Sequence, residues 1–144
     1  MSNSSVWLAK SLLNHYFRHT PTLSPDELFL HLYISDPTTD DVGTEIQGGD
    51  YAPQPIAFTS PANIGGNIQI SNAAEIRFPV AQTNWGGISH FAVRTAAGDM
   101  LIFAAVPTPK IIEIGDEAKF IAGSINIRVI GNSVVVSGGD ITTD

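Results

Sequence analysis

The chain contains no cysteine, so a disulfide framework, a thiolate metal site and a cysteine nucleophile are all excluded, and the redox state of its compartment leaves no mark. Cations are scarce too: seven Lys and Arg, scattered singly, stand against fourteen Asp and Glu, for a net charge of −7. Nucleic acid and anionic membrane are therefore not expected as direct partners, since each demands a basic patch that exchanges for condensed counterions. No window approaches the roughly 20 apolar residues of a membrane-spanning helix. The opening MSNSSVWLAKSLLNHYFRHT lacks the basic start and unbroken apolar run of a signal peptide, which leads us to expect a soluble subunit made in the cytosol. G-x-S-x-G, G-x-G-x-x-G and phosphate-loop patterns are also missing, so acyl transfer through a nucleophile elbow, hydride transfer and nucleotide hydrolysis find no support.

What is present is patterning. The 144 residues fit one domain, 1–144, a size that buries roughly 68–70% of the unfolded surface. Val6, Ala9, Leu12, Leu13, Tyr16 and Phe17 fall on one helical stripe, while Lys10, Ser11 and Asn14 fall off it. Ser4 or Ser5 can cap the start, Arg18 and His19 suit the negative end, and Pro21 prevents continuation. The spacing predicts a helix over 5–19. Trp7 and Leu8 widen its apolar face, so it is expected to be covered on more than one side, by its own sheet or by another chain.

After Pro25 the period becomes that of strands, first in LFLHLYI at 28–34. Further runs at 54–59, 67–71, 74–78, 88–94, 100–106, 110–114, 117–121, 125–130 and 133–137 are separated by turn chemistry such as NIGGN, AAGD and IGDE. Short strands at this spacing predict a mainly β fold, an antiparallel sandwich or barrel-like arrangement over 26–130 with one N-terminal helix. Pro53 and Pro55 remove ladder donors, so the strand near Tyr51 should lie on an edge or start late. Residues 131–144 form a closing arm whose polar end, SGGDITTD, should fray unless a neighbouring subunit holds it.

Each cluster of candidate chemistry has a plainer reading beside it. The long loop SDPTTDDVGTEIQGGD, 35–50, gathers Asp36, Asp40, Asp41, Glu45 and Asp50, oxygen ligands of the kind calcium takes. The alternating D-x-D-x-D-G spacing is absent, and Asp36 before Pro37 reads as a turn starter in a solvated loop. Glu75 and Glu113 alternate with strand hydrophobics as outward-facing residues, not as the paired acids of glycoside hydrolysis. His15 and His19 are four apart on the helix, a spacing that can hold a metal, but His19 at the helix end and His15 at the edge of a buried stripe explain them more simply. Ser89 and His90 are strand neighbours, expected to point to opposite faces. In FPVAQTNWGGISHFAVR, Trp85 should close the end of the core beside a glycine turn, making this stretch a corner between strands. No catalytic residue, cofactor or metal is assigned.

Three stretches, LFLHLYISDPTTDDVGTEIQGGDYAPQPIAF, NAAEIRFPVAQTNWGGISHFAVRTAAGDMLIFAAV and KIIEIGDEAKFIAGSINIRV, occur in the order seen in a family of small tailed-bacteriophage virion proteins often labelled tail fibre proteins. The resemblance spans residues 5–130. It departs at Tyr51, Ala52 and Pro53, where the family usually reads YAR, and it does not extend to the closing IGNSVVVSGGDITTD. It implies a non-enzymatic component on the exterior of a phage particle, with coat or tail proteins as partners. A compact acidic β chain without elongated repeats favours a capsid-decorating, or cement, protein acting as a symmetric homo-oligomer such as a trimer. A tail fibre, tail or baseplate component is the alternative, and a carbohydrate-binding or hydrolytic β-domain the third reading. The contact residues expected for the first two are Trp7 and Leu8 on the helix, Asp36, Asp40, Asp41 and Glu45 in the loop, and Val134, Val135 and Val136 in the arm, a segment suited to adding a strand to a neighbour's sheet edge.

Overall fold

The computed structural model describes residues 3–20, 24–130 and 133–143. A helix, α1 (Val6–Phe17), precedes eleven strands: β1 (Leu28–Tyr33), β2 (Gln54–Ile56), β3 (Ala62–Ile64), β4 (Asn67–Ser71), β5 (Ile76–Arg77), β6 (Gly86–Thr95), β7 (Met100–Ile112), β8 (Ala118–Phe120), β9 (Ile125–Ile130), β10 (Ser133–Gly138) and β11 (Thr142–Thr143). The fold is mainly β with all pairings antiparallel, as the strand periods predict. Three sheets run in the orders β2-β1-β6-β7, β10-β9-β4-β3 and β11-β8-β5. Late onset and an edge position for β2 follow from Pro53 and Pro55, which cannot donate to a ladder.

The two four-stranded sheets are joined along both margins. Beyond β2 the chain runs on beside the end of β4, where Thr59 N–H donates to Ser71 O (2.8 Å) and Ala73 N–H to Ala57 O (2.9 Å). On the other margin residues 3–5 lie between β7 and β10. Asn3 N–H donates to Val134 O (2.7 Å), Phe103 N–H to Asn3 O (3.0 Å) and Ser5 N–H to Leu101 O (2.9 Å). The result is barrel-like, with few unpaired edges left between the sheets. Leu30, Leu32, Phe91, Val93, Ile102 and Ile125 fill the interior, and Phe120 of the small third sheet packs on Phe78 and Phe91 at one end.

Several elements differ from expectation for local reasons. The runs 100–106 and 110–114 belong to one strand, β7, because a register shift opposite Ser89 absorbs Pro107 and Pro109 where no ladder donor is required. A strand at 62–64 was not expected; it is the partner of β4 across a turn in which Gly65 and Gly66 both have positive φ (60° and 88°). The polar tail is held by its own chain and not frayed: Ile141 is buried, Gly139 N–H donates to Ser124 O (2.8 Å), and β11 pairs with β8. The helix ends at Phe17, sooner than 19, with His19 at positive φ (57°) just beyond it. Pro21, the expected stop, lies outside the described residues.

Candidate partner-binding surface

Alternation along β1 and β6 places His31, Tyr33, His90, Ala92 and Arg94 on the outer face of the first sheet. The 35–50 loop folds down over that face. Its return leg pairs with the end of β1, Ile34 N–H donating to Thr44 O (2.9 Å) and Ile46 N–H to Leu32 O (3.1 Å). Glu45 then lies opposite Tyr33. One of its oxygens, Oε2, accepts from His31 Nδ1 (2.6 Å) and from Tyr51 Oη (2.6 Å), while Tyr51 Oη also accepts from Leu32 N–H (2.9 Å). Burial by itself raises a carboxyl, but the hydrogen bonds from His31 and Tyr51 and the attraction of Arg94 outweigh it and hold Glu45 below its ordinary range. Burial, reinforced by the neighbouring carboxylate, pushes the Tyr51 phenol well above its usual value.

Arg94 pins the other end of the loop. Its guanidinium forms a two-toothed pair with Asp41, donates from Nε to Tyr33 Oη (2.7 Å) and from Nη1 to Gly98 O (2.7 Å). Burial works against its charge, yet the bonds to Asp41 and Tyr33 raise its affinity for the proton further. Tyr33, in turn, is raised chiefly by burial. Asp36 accepts from Thr38 N–H (2.9 Å), the turn the Asp-Pro pair predicts. Asp36, Asp41 and Glu45 are thus committed to protein donors, and no group of three His, Asp or Glu able to hold a metal occurs among the described residues.

The residues expected to touch partners are only partly brought together. Trp7, Asp40 and Asp41 line one cleft of about 310 Å³ where Val6 N–H donates to Thr39 O (3.1 Å). Asp36 and Glu45 face the sheet from the same loop, with Glu45 half-buried. Leu8 turns inward against the core. Val134, Val135 and Val136 lie in β10 of the chain's own sheet, their outer edge met by Asn3, so this segment already has partners on both sides. The residues that sequence reasoning missed are the pins, His31, Tyr33, Tyr51 and Arg94. Only the β1 and β6 alternation hinted that His31, Tyr33 and Arg94 share a face.

The helix departs most from expectation. Ser5 caps it, its Oγ accepting from Leu8 N–H (3.0 Å) and donating to Met100 O. No residue of α1 is buried. The stripe read as the buried one points away: Leu12, Leu13, Tyr16 and Phe17 are 44, 58, 67 and 76% exposed. The side toward the sheet is instead carried by the half-buried Leu8 and Ser11, and Leu12, His15 and Tyr16 line a cleft with them against Pro25 and Leu101, so His15 does not edge a buried stripe.

The Phe78 to Arg94 stretch is a corner. Trp85 is buried, donates from Nε1 to Gly49 O (3.2 Å) and meets Tyr51 edge-on, and Tyr51 stacks on Phe78. One expectation here is overturned: Ser89 Oγ and His90 Nδ1 are 2.8 Å apart, because the register shift between Ile88 and His90 breaks the alternation that would separate them. His90 Nε2 lies 3.9 Å from Asp36, beyond a hydrogen bond. Glu75 is held by Arg77 (2.5 Å), and both it and Glu113 are exposed.

Fold and surface together define a small β-rich structural module that presents an apolar helix and a pinned acidic loop. The chain belongs to the family described as Podophage GP4 fiber I protein gp80, whose model matches residues 3–128. It is therefore a member of a phage fibre family, in line with the resemblance to tailed-phage virion proteins. The match ends within β9, leaving β10 and β11 outside it. No curated protein matches the chain. No helix among the described residues is long and apolar enough to cross a membrane.

Proposed function

We propose that this chain is a non-enzymatic fibre component on the exterior of a phage particle, acting as one domain that binds other virion proteins as part of a homo-oligomer. The observation that carries this reading is the outward apolar face of α1 in a member of a fibre family. Single exposed hydrophobics are ordinary, but a contiguous helical face of them marks a contact surface. The acidic loop contributes shape rather than chemistry, since Asp41 and Glu45 are already paired within the chain. Trp7, Asp40 and Asp41, which share a cleft, are the contact residues of the loop side.

Capsid decoration, the role that composition favours, is the second reading, supported by the compact barrel without shaft-like repeats. There binding would exist only in the assembled lattice and would stabilise it by mass action. Quantitative mass spectrometry of purified particles separates the two. A few copies that co-purify with tails support the fibre role; hundreds per head support decoration. Absence of the chain from particles rejects both.

A further inference from the structure

We infer that the groove around Trp7 docks a basic segment of a different protein, with a lysine or arginine side chain laid against the indole. The inference rests on the reading of this chain as a binder of other virion proteins, and it names the chemistry of the partner. Trp7 is shared by three adjoining clefts. One, of about 310 Å³, holds Asp40, Asp41 and Asp99, and a second of the same size holds Asp26 and Asp99. Tyr16 and Leu12 line the third, of about 220 Å³. The walls are fixed before anything binds. Val6 N–H donates to Thr39 O (3.1 Å), Ser5 Oγ to Met100 O, Asp99 N–H to Thr95 Oγ1 (3.1 Å), and Arg94 ties Asp41 to Gly98 O. An indole 36% exposed where three preformed clefts meet is a platform for contact, unlike the buried Trp85.

Charge selects the occupant. Arg94 neutralises Asp41, but the carboxylates of Asp26, Asp40 and Asp99 meet no donor or cation among the described residues. No lysine or arginine lines any of the three clefts. The amino end of α1 opens here and carries roughly half a positive charge. Against three carboxylates that leaves the surroundings of the indole anionic. A cation gains twice at such a place, from the carboxylates and from the negative face of the ring. The apolar edges of Leu12 and Tyr16 suit the aliphatic stem of a lysine or arginine, which a bare ion lacks. An acidic partner is repelled by the groove and by the net charge of −7 behind it. A wholly apolar one would strip water from carboxylates and pair them with nothing.

The test is a heteronuclear NMR titration of the purified full chain with tetralysine at low ionic strength, with tetraglutamate and maltotetraose in parallel. The two tryptophans give an internal comparison, since Trp7 Nε1–H reports the groove while Trp85 Nε1–H is held in the core by Gly49 O. Tetralysine should shift the Trp7 indole and the amides of Gly98 and Asp99 but not Trp85, and about 0.15 M salt should reverse most of the shift. Asp26→Asn, Asp40→Asn and Asp99→Asn combined should weaken binding about tenfold. Trp7→Ala, read at Gly98, should weaken it about threefold. The triple Asp50→Asn, Glu113→Gln, Asp140→Asn removes as much charge from exposed positions that line none of these clefts, and should weaken binding less than about twofold. Each change is isosteric or exposed, so far-UV circular dichroism should be unaltered. Equal weakening by the two triples, shifts that do not favour Trp7 over the rest of the surface, or a Trp7 response to tetraglutamate or maltotetraose in place of tetralysine would overturn the groove. A Trp7 that ignores tetralysine in a chain still found on particles removes the groove and leaves the virion role; a lysine-binding groove in a chain absent from particles does the reverse.

Discussion

Tyr51 shows how one side chain can join the core to the loop above it. Its ring stacks on Phe78 and meets Trp85 edge-on, and its hydroxyl emerges between Leu32 N–H and the Glu45 carboxylate. Tyr51→Phe keeps the packing but strands the Leu32 donor and removes a bond to an ionised acceptor, so a loss of about 1–3 kcal/mol is expected in urea unfolding, with m unchanged. Glu45 adds a pH dependence. Its carboxyl is held below the ordinary range, so near pH 4 the unfolded chain binds more protons than the folded one, and stability rises with pH there. That contribution is complete above the unfolded value and lost as pH falls through the lower, folded one. Glu45→Gln should flatten this acid limb in pH-dependent unfolding; an unchanged acid limb would show that other carboxylates govern it. None of these pairings could be read from the chain alone, because Glu45 finds His31 and Tyr51 only after the loop has folded back, and sequence distance does not encode that return.

Strands and helix were legible to different degrees. Periods of two located the main strands, since alternation reports a half-buried ribbon whatever its neighbours. Short partners such as β3 and β11 lack enough alternating residues to register, and Pro107 and Pro109 disguised β7 as two strands. The helical stripe was legible as a stripe, but amphipathicity states which residues stay together, not whether their cover is in the same chain. The closing segment was misjudged for a related reason: its polar composition hides a single anchor, Ile141, and the sharp return at Gly139, where a Cβ would approach the Phe91 ring to 2.5 Å. Ile141→Ala should cost about 2–5 kcal/mol, as for other buried aliphatic truncations. Calorimetry would show the drop in Tm, and faster amide exchange at Lys119 would show whether β11 has peeled from β8. A loss below half a kcal/mol would mean that the tail merely rests on the surface.

The molecule as a whole depends on how its two large sheets are shut, and the narrower of the two closures is Asn3. Its backbone bridges Val134 and Phe103, and its side chain does the same again, Nδ2 donating to Phe103 O (2.9 Å) and Oδ1 accepting from Val136 N–H (2.9 Å). Ser5, two residues on, caps α1, so the latch that closes the barrel is also the hinge from which the exposed helix hangs. Stability and presentation of the contact surface are thereby linked through one short segment. Asn3→Ala leaves the backbone bonds possible but orphans Val136 N–H and one acceptor at Phe103, which should cost about 1–3 kcal/mol in urea unfolding. Because the seam joins β7 to β10, the effect should spread: amide exchange should quicken along both strands and through α1, while the β1–β6 ladder stays protected. Were Asn3 only a fraying end, the urea midpoint would not move and exchange would change at residues 3–5 alone, and the barrel would then be held shut from the β2–β4 margin without it.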